Sequence, residues 1–408
     1  MTEAVIVATA RSPIGRAFKG SMTTIRPDDL TAQMISAALA KVPQLSIDQV
    51  DDLMLGCGLP GGEQGFNMAR VVAVLLGQDR LPGTTITRYC SSSLQTTRMA
   101  LHAIKAGEGD VFISAGVETV SRFAMGSSDS LPKTMNPFFA EAQSRSEGLG
   151  AGGLTEWHDP REDGRVPDVY VAMGQTAENV ALLCDVSREE MDAFGVRSQN
   201  LAEKAIANGF YAREITPVTL PDGSVVEHDD GPRPGVTLEA VSALKPVFRP
   251  DGRVTAGNCC PLNDGAAAVV IMSDTKARQL GIEPLARIVS TGVTGLSPEI
   301  MGLGPIEASK QALARAGLTI DDIDLVELNE AFAAQVIPSA RGLGLDPFGD
   351  KLNVHGGAIA VGHPFGMTGA RIAATLINGL QTRDGTLGLE TMCVGGGQGM
   401  AMVIERLR

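Results

Sequence analysis

Short apolar runs rich in β-branched residues alternate with helical patterns toward both ends of the chain. The first part reads VIVATA (5–10), a helix near 28–41, DDLMLG (51–56), a helix near 66–76, TTITRYC (84–90), a helix from 91 and DVFISAG (110–116). The last part repeats the scheme: ARIVSTG (286–292), a helix at 305–316, DLVELN (324–329), a helix at 330–343, a glycine-rich stretch at 356–369, a helix from 367 and LETMCVGGG (389–397). MAMVIERL (400–407) reads as a closing strand. Strand-like runs separated by helical segments predict a layered α/β fold.

The two ends are copies of one pattern. LSIDQVDDLMLG (45–56) aligns without a gap on LTIDDIDLVELN (318–329), at an offset of 273 from Leu45 to Leu318. Carried forward unchanged, that offset pairs Cys90 with His363 and Arg98 with Arg371. Two similar halves would each bring one reactive side chain to a shared seam.

Between them the composition changes, from about Ser121 to Thr255, with the loop-like stretch SEGLGAGGLTEWHDPREDGRVPD (146–168) and DDGPRPG (229–235). Helices are expected around 174–184 and 188–208, the second ending at Asn208-Gly209 as a C-cap would. The expected organisation is therefore a first half of residues 1–120 plus about 256–285, an inserted lobe at 121–255, and a second half at 286–408. So long and irregular an insertion points to substrate binding, with a plain spacer as the alternative.

Composition narrows the function. With 47 acidic against 34 basic residues the net charge is −13, which argues against a nucleic-acid partner, and an anionic ligand must find local cations. No apolar run approaches the roughly 18 residues that span a bilayer, and the start has no secretion-signal pattern, so neither a membrane nor export is expected. The six cysteines lack any C-x-x-C spacing for metal or redox work, which suits reduced thiols in a cytoplasm and no metal site.

Four positions carry candidate chemistry. Cys90 ends a strand-like run and is followed by Ser91-Ser92-Ser93 and a helical face of Leu94, Leu101 and Ile104. A thiol at a helix N-terminus meets unpaired N–H groups and the positive end of the dipole, which lowers its pKa and makes a nucleophile. A buried structural cysteine is the plainer alternative. His363 lies in GGAIAVGHPFGMTGAR (356–371), where glycines allow close approach and Pro364 bars regular pairing, so a general base or a solvated loop histidine fits there. Cys393 precedes Gly395-Gly396-Gly397, whose amides can form an anion nest for an oxyanion. Asn329, opening NEAFA, either orients a water or caps the following helix.

Taken together, RYCSSSLQ around Cys90, NEAFA (329–333), GGAIAVGHPFGMTGAR and CVGGGQG (393–399) resemble the motifs of thiolases, acetyl-CoA C-acyltransferases of the bacterial degradative or acetoacetyl-CoA-forming kind. The resemblance spans essentially all 408 residues. It implies a five-layered αβαβα body of two similar halves with an inserted, CoA-binding loop domain, working in fatty-acid β-oxidation. Cys90 would carry the acyl group, His363 would activate it, Cys393 would handle the proton on the α-carbon, and Asn329 would fix a water beside His363. Cys90 would attack a 3-ketoacyl-CoA, acetyl-CoA would leave, and a CoA thiol deprotonated with help from His363 would collect the shortened acyl chain. The amides of Cys90 and Gly395 would hold one oxyanion.

Coenzyme A enters as co-substrate, with no tightly bound cofactor. Its contacts would be Met173, Arg233, Phe248, Ala256, Cys260, Leu262 and Phe332, with Arg233 facing the phosphates. The family's members are dimers or tetramers. Two departures stand out: the small Ala-Ser pair usual in the family is Cys259-Cys260 here, and Ala172 replaces a histidine of the short-chain biosynthetic members, which leans toward a broader or longer acyl substrate. The alternatives are a short-chain acetoacetyl-CoA-forming acetyltransferase and a non-catalytic, thiolase-shaped lipid-binding protein. The latter should lack one of Cys90, His363 or Cys393. A decarboxylating condensing enzyme would have no use for CVGGGQG, and a papain-like hydrolase would arrange its cysteine, histidine and asparagine differently.

Overall fold

A computed structural model of the protein describes residues 2–125, 134–151 and 156–408. The first half runs β1 (Ala4–Arg11), α1 (Pro27–Ala40), β2 (Asp52–Cys57), α2 (Met68–Leu75), β3 (Gly83–Ile86), α3 (Ser92–Ala106) and β4 (Val111–Thr119). The intervening segment carries α4 (Ala140–Gly150), α5 (Met173–Leu183) and α6 (Arg188–Ala207), and β5 (Asn263–Ser273) returns to the first sheet. The second half follows with β6 (Ala286–Gly295), α7 (Gly304–Ala316), β7 (Leu325–Leu328), α8 (Ala333–Gly342), α9 (Thr368–Arg383), β8 (Leu387–Val394) and β9 (Gln398–Arg406).

Strand order is β3-β2-β4-β5-β1 in the first sheet and β7-β8-β9-β6 in the second. Pairing directions match as well: β2 is parallel to β4 as β7 is to β8, and β5 and β9 each run antiparallel to both neighbours. Leu352 bridges Val326 in parallel, in the place beside β7 that β3 takes beside β2. The sheets join through the short β1–β6 pairing of Val5 with Arg287 and Ile6 with Ala286. The duplication read from the sequence is thus a duplication of topology.

Strand periodicity assigns the layers. Ile6, Val269, Ile271, Met392 and Met402 point to a middle core shared with Leu94, Leu101 and Ile104 of α3 and Ile372, Leu376 and Leu380 of α9. Their strand neighbours Val5, Val7, Val270 and Met272 point the other way, onto Leu30, Met34 and Ile35 of α1 and Val72 of α2. On the far side Leu389, Cys393, Ala401 and Val403 pack on Ala312 of α7 and Val336 and Ile337 of α8. Helices cover both faces of both sheets, so the strands read as continuous apolar runs. The result is the expected αβαβα stack.

Several boundaries differ from the sequence reading. The strand expected at 84–90 stops at Ile86, leaving Cys90 in a 3₁₀ turn, Tyr89–Ser91. The helix expected from 330 starts at Ala333, so Asn329 does not cap it. Part of the stretch read as loop, from 146, is the end of α4. The repeat also slips: helices α3 and α9 start 276 apart, from Ser92 to Thr368, so Cys90 and His363 are not structural equivalents. Cys90 lies two residues before its helix and His363 five before its own.

The lobe helices match their prediction. Ser187 Oγ caps α6 by accepting the Glu190 N–H at 3.1 Å, and α6 ends at Asn208 before Gly209 at φ +76°. Fully buried Arg11 on β1 anchors the end of the insertion, donating to Glu214 at 2.8 Å and Asp229 at 2.7 Å. Removing one partner of such a buried group costs roughly 3–5 kcal/mol, because the remaining charge is left uncompensated.

The middle helices meet at a glycine. A Cβ on Gly369 would lie 2.3 Å from the Leu94 nitrogen, and the next amide, Ala370 N–H, donates to Ser93 Oγ at 2.9 Å. Gly369→Ala is expected to cost about 1–3 kcal/mol by overpacking. Urea unfolding should show a lower midpoint at unchanged slope; a parental midpoint would mean that the two helices can separate freely.

Candidate active site

Cys90 is presented by a turn that the sequence builds from its own polar groups. The Arg88 N–H donates to Ser92 Oγ at 2.9 Å, and that hydroxyl donates to the Tyr89 carbonyl at 2.7 Å, with Tyr89 at φ +43°. The Arg88 guanidinium reaches across to the other half, donating to Gln95 Oε1 at 3.1 Å and Gln398 Oε1 at 2.7 Å. Gln398 in turn donates to the Gly395 carbonyl at 3.2 Å. This chain ties the nucleophile turn to the β8–β9 hairpin, whose Gly396 and Gly397 take φ of +75° and +80°. Gly395 and Cys90 line one cavity, and the Gly395 N–H acts to lower the thiol's pKa.

Burial and amides compete at that sulfur, and burial wins. The Cys90 thiol is pushed up to about 11, against a partial lowering by the Gly395 and Cys90 N–H groups. The lowered pKa expected from the helix start does not hold in the free protein. Cys393, at the end of β8, is also pushed well above its usual value by burial, with the charge of Cys90 as the next cause. Cys260 follows the same rule, and Cys259, Cys90 and Cys393 all act on it. Thiols from distant parts of the chain therefore share one site.

His363 follows a single helical turn, Ala358–Val361, and Gly362 at φ +114°. Its N–H donates to Asn263 Oδ1 at 2.9 Å, and Asn263 Nδ2 donates to the Gly15 carbonyl at 3.0 Å. The ring Nδ1 lies 2.6 Å from Thr368 Oγ1, whose hydroxyl proton goes to the Pro364 carbonyl at 2.8 Å. Nδ1 must then be the donor, and Nε2 keeps its lone pair. Asn329 Nδ2 sits 3.3 Å from Nε2, with Asn329 Oδ1 buried and unpartnered. Burial, with Arg371 as a second cause, lowers His363 to about 3, so the ring is neutral at physiological pH.

The loop carrying His363 is clamped by residues that sequence reasoning passed over. Glu118, fully buried at the end of β4, accepts Gly366 N–H at 2.9 Å and Gly58 N–H at 2.7 Å through one oxygen. Its other oxygen accepts from Gln64 Nε2 at 2.7 Å. Glu330, inside NEAFA, accepts from Ser198 Oγ at 2.6 Å, Asn353 Nδ2 at 2.9 Å and Ile359 N–H at 3.2 Å. The available signal was an acidic residue in an otherwise apolar strand, or just beyond one.

A cavity of 620 Å³ opens over Cys90, lined also by Tyr89, Met173, Phe365, Gly395 and Gly396. The Phe365 ring stands 5.3 Å from His363. A separate groove of 520 Å³ near Lys41 and Arg213 has no cysteine or histidine in its lining.

The residues expected to bind CoA gather in part. Phe248 and Phe332 meet edge to face at 6.1 Å, Phe248 covers Gly174, and Cys260 N–H donates to the Ala331 carbonyl at 3.0 Å. Ala256 and Leu262 are exposed. Arg233 donates its N–H to Gln199 Oε1 at 2.9 Å; its guanidinium is lowered by burial and by Arg16, a neighbour the sequence reading missed. Ala17, next to Arg16, donates to the Leu262 carbonyl at 2.9 Å. Among the described residues, neither arginine has a salt-bridge partner. No metal-binding cluster occurs among the described residues.

The Cys90 pKa gives a direct check. With the thiol at about 11, above its usual 9, the thiolate fraction of the free protein should climb about tenfold per pH unit from 7 to 9 and beyond. Iodoacetamide labelling of Cys90, read by peptide mass spectrometry, should follow that slope; a plateau below pH 8 would mean the helix start outweighs burial.

Comparison with known proteins agrees with this geometry. Residues 4–275 match the family described as Thiolase, N-terminal domain, and residues 282–406 match Thiolase, C-terminal domain. The chain is 43% identical to the 3-oxoadipyl-CoA/3-oxo-5,6-dehydrosuberyl-CoA thiolase of Escherichia coli (strain K12) over 100% of both chains. It is 42% identical to the 3-ketoacyl-CoA thiolase of Bacillus subtilis (strain 168), over 99% of this chain and 100% of that one. The crystal structure of the dimeric peroxisomal thiolase of Saccharomyces cerevisiae superposes with a TM-score of 0.87 at 33% identity, covering 99% of this chain and 97% of that one. With two thiols, an oriented histidine and a glycine hairpin assembled by a duplicated αβαβα body, the chain belongs to the thiolase family of acyltransferases.

Proposed function

We propose that the protein cleaves 3-ketoacyl-CoA by CoA-dependent thiolysis through an acyl-enzyme on Cys90. The observation that carries this reading is that Gly395 of one half and Cys90 of the other line one cavity, which puts an oxyanion donor beside the nucleophile.

The reaction starts from neutral groups, since burial holds both thiols protonated and His363 unprotonated. Sulfur attack on the 3-keto carbon is coupled to transfer of the Cys90 proton to His363 Nε2, and the new oxyanion takes the preset amides of Cys90 and Gly395. When the oxyanion collapses, the C2–C3 bond breaks and its electron pair leaves on C2 as the acetyl-CoA enolate. The Cys393 thiol protonates that carbon. The His363 proton then passes to the Cys393 thiolate, restoring both. An incoming CoA thiol gives its proton to His363 as it attacks the acyl-Cys90 thioester, and the leaving Cys90 sulfur takes that proton back. One difficult step becomes two easier ones. Asn329, 3.3 Å from Nε2, fixes a water beside the imidazole.

For coenzyme A, Arg233 and Arg16 supply paired cations toward the phosphates on an otherwise acidic protein. Phe248, Phe332, Cys260 and Met173 border the pantetheine path, with Ala256 and Leu262 at its exposed mouth. Cys260 puts a thiol where a hydroxyl is usual, so that contact is weaker.

A homodimer, or a pair of them, fits the surface. Strand β3 is an open edge, and Phe66 beside it is 95% exposed, with Val74 and Leu75 of α2 also exposed. An uncovered edge next to apolar side chains calls for a partner. A cytoplasmic location is supported by six free cysteines, and no helix among the described residues is long and apolar enough to cross a membrane.

Two variants separate the half-reactions. Cys90→Ser is expected to drop thiolysis to under a few per cent while CoA still binds, measured by turnover and calorimetry. Cys393→Ala is expected to stop carbon–carbon cleavage yet leave acyl exchange between Cys90 and labelled CoA; loss of both activities would refute that division of labour.

A further inference from the structure

We infer that the cavity over Cys90 takes an uncharged, extended acyl tail and that Tyr170 forms its far wall. This deepens the thiolase reading and rests on it. The named relatives do not decide the matter, since one is a 3-oxoadipyl-CoA thiolase, whose substrate ends in a carboxylate, and another a 3-ketoacyl-CoA thiolase.

The cavity diverges from the CoA positions. Of the residues assigned to coenzyme A, only Met173 lines it; Arg233, Phe248, Cys260 and Phe332 do not. The remaining wall is mostly apolar, with Leu59, Met135, Val169, Val171 and Phe365 beside Tyr89 and Thr134, and no lysine, arginine or histidine lines it among the described residues. Beyond it a groove of 460 Å³ shares Met135, Tyr170 and Val171, and there the ionisable side chains are Glu147 and Asp168. Two arginines of the same lobe, Arg145 and Arg165, are engaged: Arg145 donates to Glu141, Glu299 and the Val166 carbonyl, and Arg165 donates to Asp163. A terminal carboxylate would leave water, find no cation among the described lining residues and face like charges. A methyl-ended tail packs on Leu59, Val169, Val171 and Phe365 and needs no cation.

Tyr170 separates the cavity from the groove and is held at both ends. Its Oη accepts the Asn136 N–H at 3.1 Å, its ring meets Phe139 edge-on at 5.6 Å, and its own N–H donates to Asp168 Oδ1 at 2.9 Å. A fixed ring at that boundary stops a growing chain, whereas a small side chain would join the two spaces.

The test compares kcat/KM for thiolysis of acetoacetyl-CoA, 3-oxooctanoyl-CoA, 3-oxohexadecanoyl-CoA and 3-oxoadipyl-CoA. The parent should cleave 3-oxooctanoyl-CoA at least about a hundredfold better than 3-oxoadipyl-CoA. Tyr170→Ala should raise the sixteen-carbon to eight-carbon ratio about tenfold or more, and Tyr170→Phe should keep the parental ratio. If Tyr170→Ala does not fold, Met135→Ala, on the same boundary, should give the same shift. Equal or better cleavage of 3-oxoadipyl-CoA overturns the uncharged tail, and an unchanged ratio in the alanine variant overturns the wall. Failure to cleave any of the four esters overturns the thiolase reading instead.

Discussion

Glu118 is the group on which the site's geometry depends. A carboxylate at the end of β4 is buried completely, a cost that only close donors can offset, and those donors come from both halves. Gly58 and Gln64 belong to the first half, and Gly366 to the loop that carries His363. Burial raises the Glu118 pKa, while its hydrogen bonds hold it down. The backbone contact behind it leaves no slack, since a Cβ on Gly366 would fall 2.2 Å from the Val117 carbonyl oxygen. The histidine loop is thus pressed onto the strand ends beside which Cys90 sits, and its position follows from packing rather than from a flexible hinge.

The electrostatics follow from the same dry interior. A helix start and two amides act to stabilise a thiolate at Cys90, but removal from water outweighs them. The same penalty keeps His363 neutral and Cys393 protonated. A resting ion pair would be costly in this place, and a neutral pair stores its proton transfer for the moment when a carbonyl oxygen, held by preset amides, takes up the developing charge. Preorganisation rather than a reactive resting thiolate is what this site offers.

Duplication explains how three reactive groups from distant positions meet. Each half places a helix start and a strand end at the same edge of its sheet, and α3 and α9 pack those edges together in the middle layer. What differs is the connection after the strand that follows the middle-layer helix: the first half inserts a lobe between β4 and β5, while the second closes β8 to β9 with a glycine hairpin. One half therefore supplies walls and the other a tight turn of donors.

Much of this was legible in the chain itself. The alternation of strands and helices, the repeat at an offset of 273, and the four motifs around Cys90, Asn329, His363 and Cys393 are local patterns, because each depends on periodicity or on turn chemistry within a few residues. The slip of the repeat to 276 at the helices was not legible, since loops absorb insertions without changing any local pattern. Nor were Glu118 as a clamp, Arg16 beside Arg233, or the raised pKa of Cys90. Each of those depends on which distant groups surround a side chain and how much water they displace, and that is decided only when the halves close on one another.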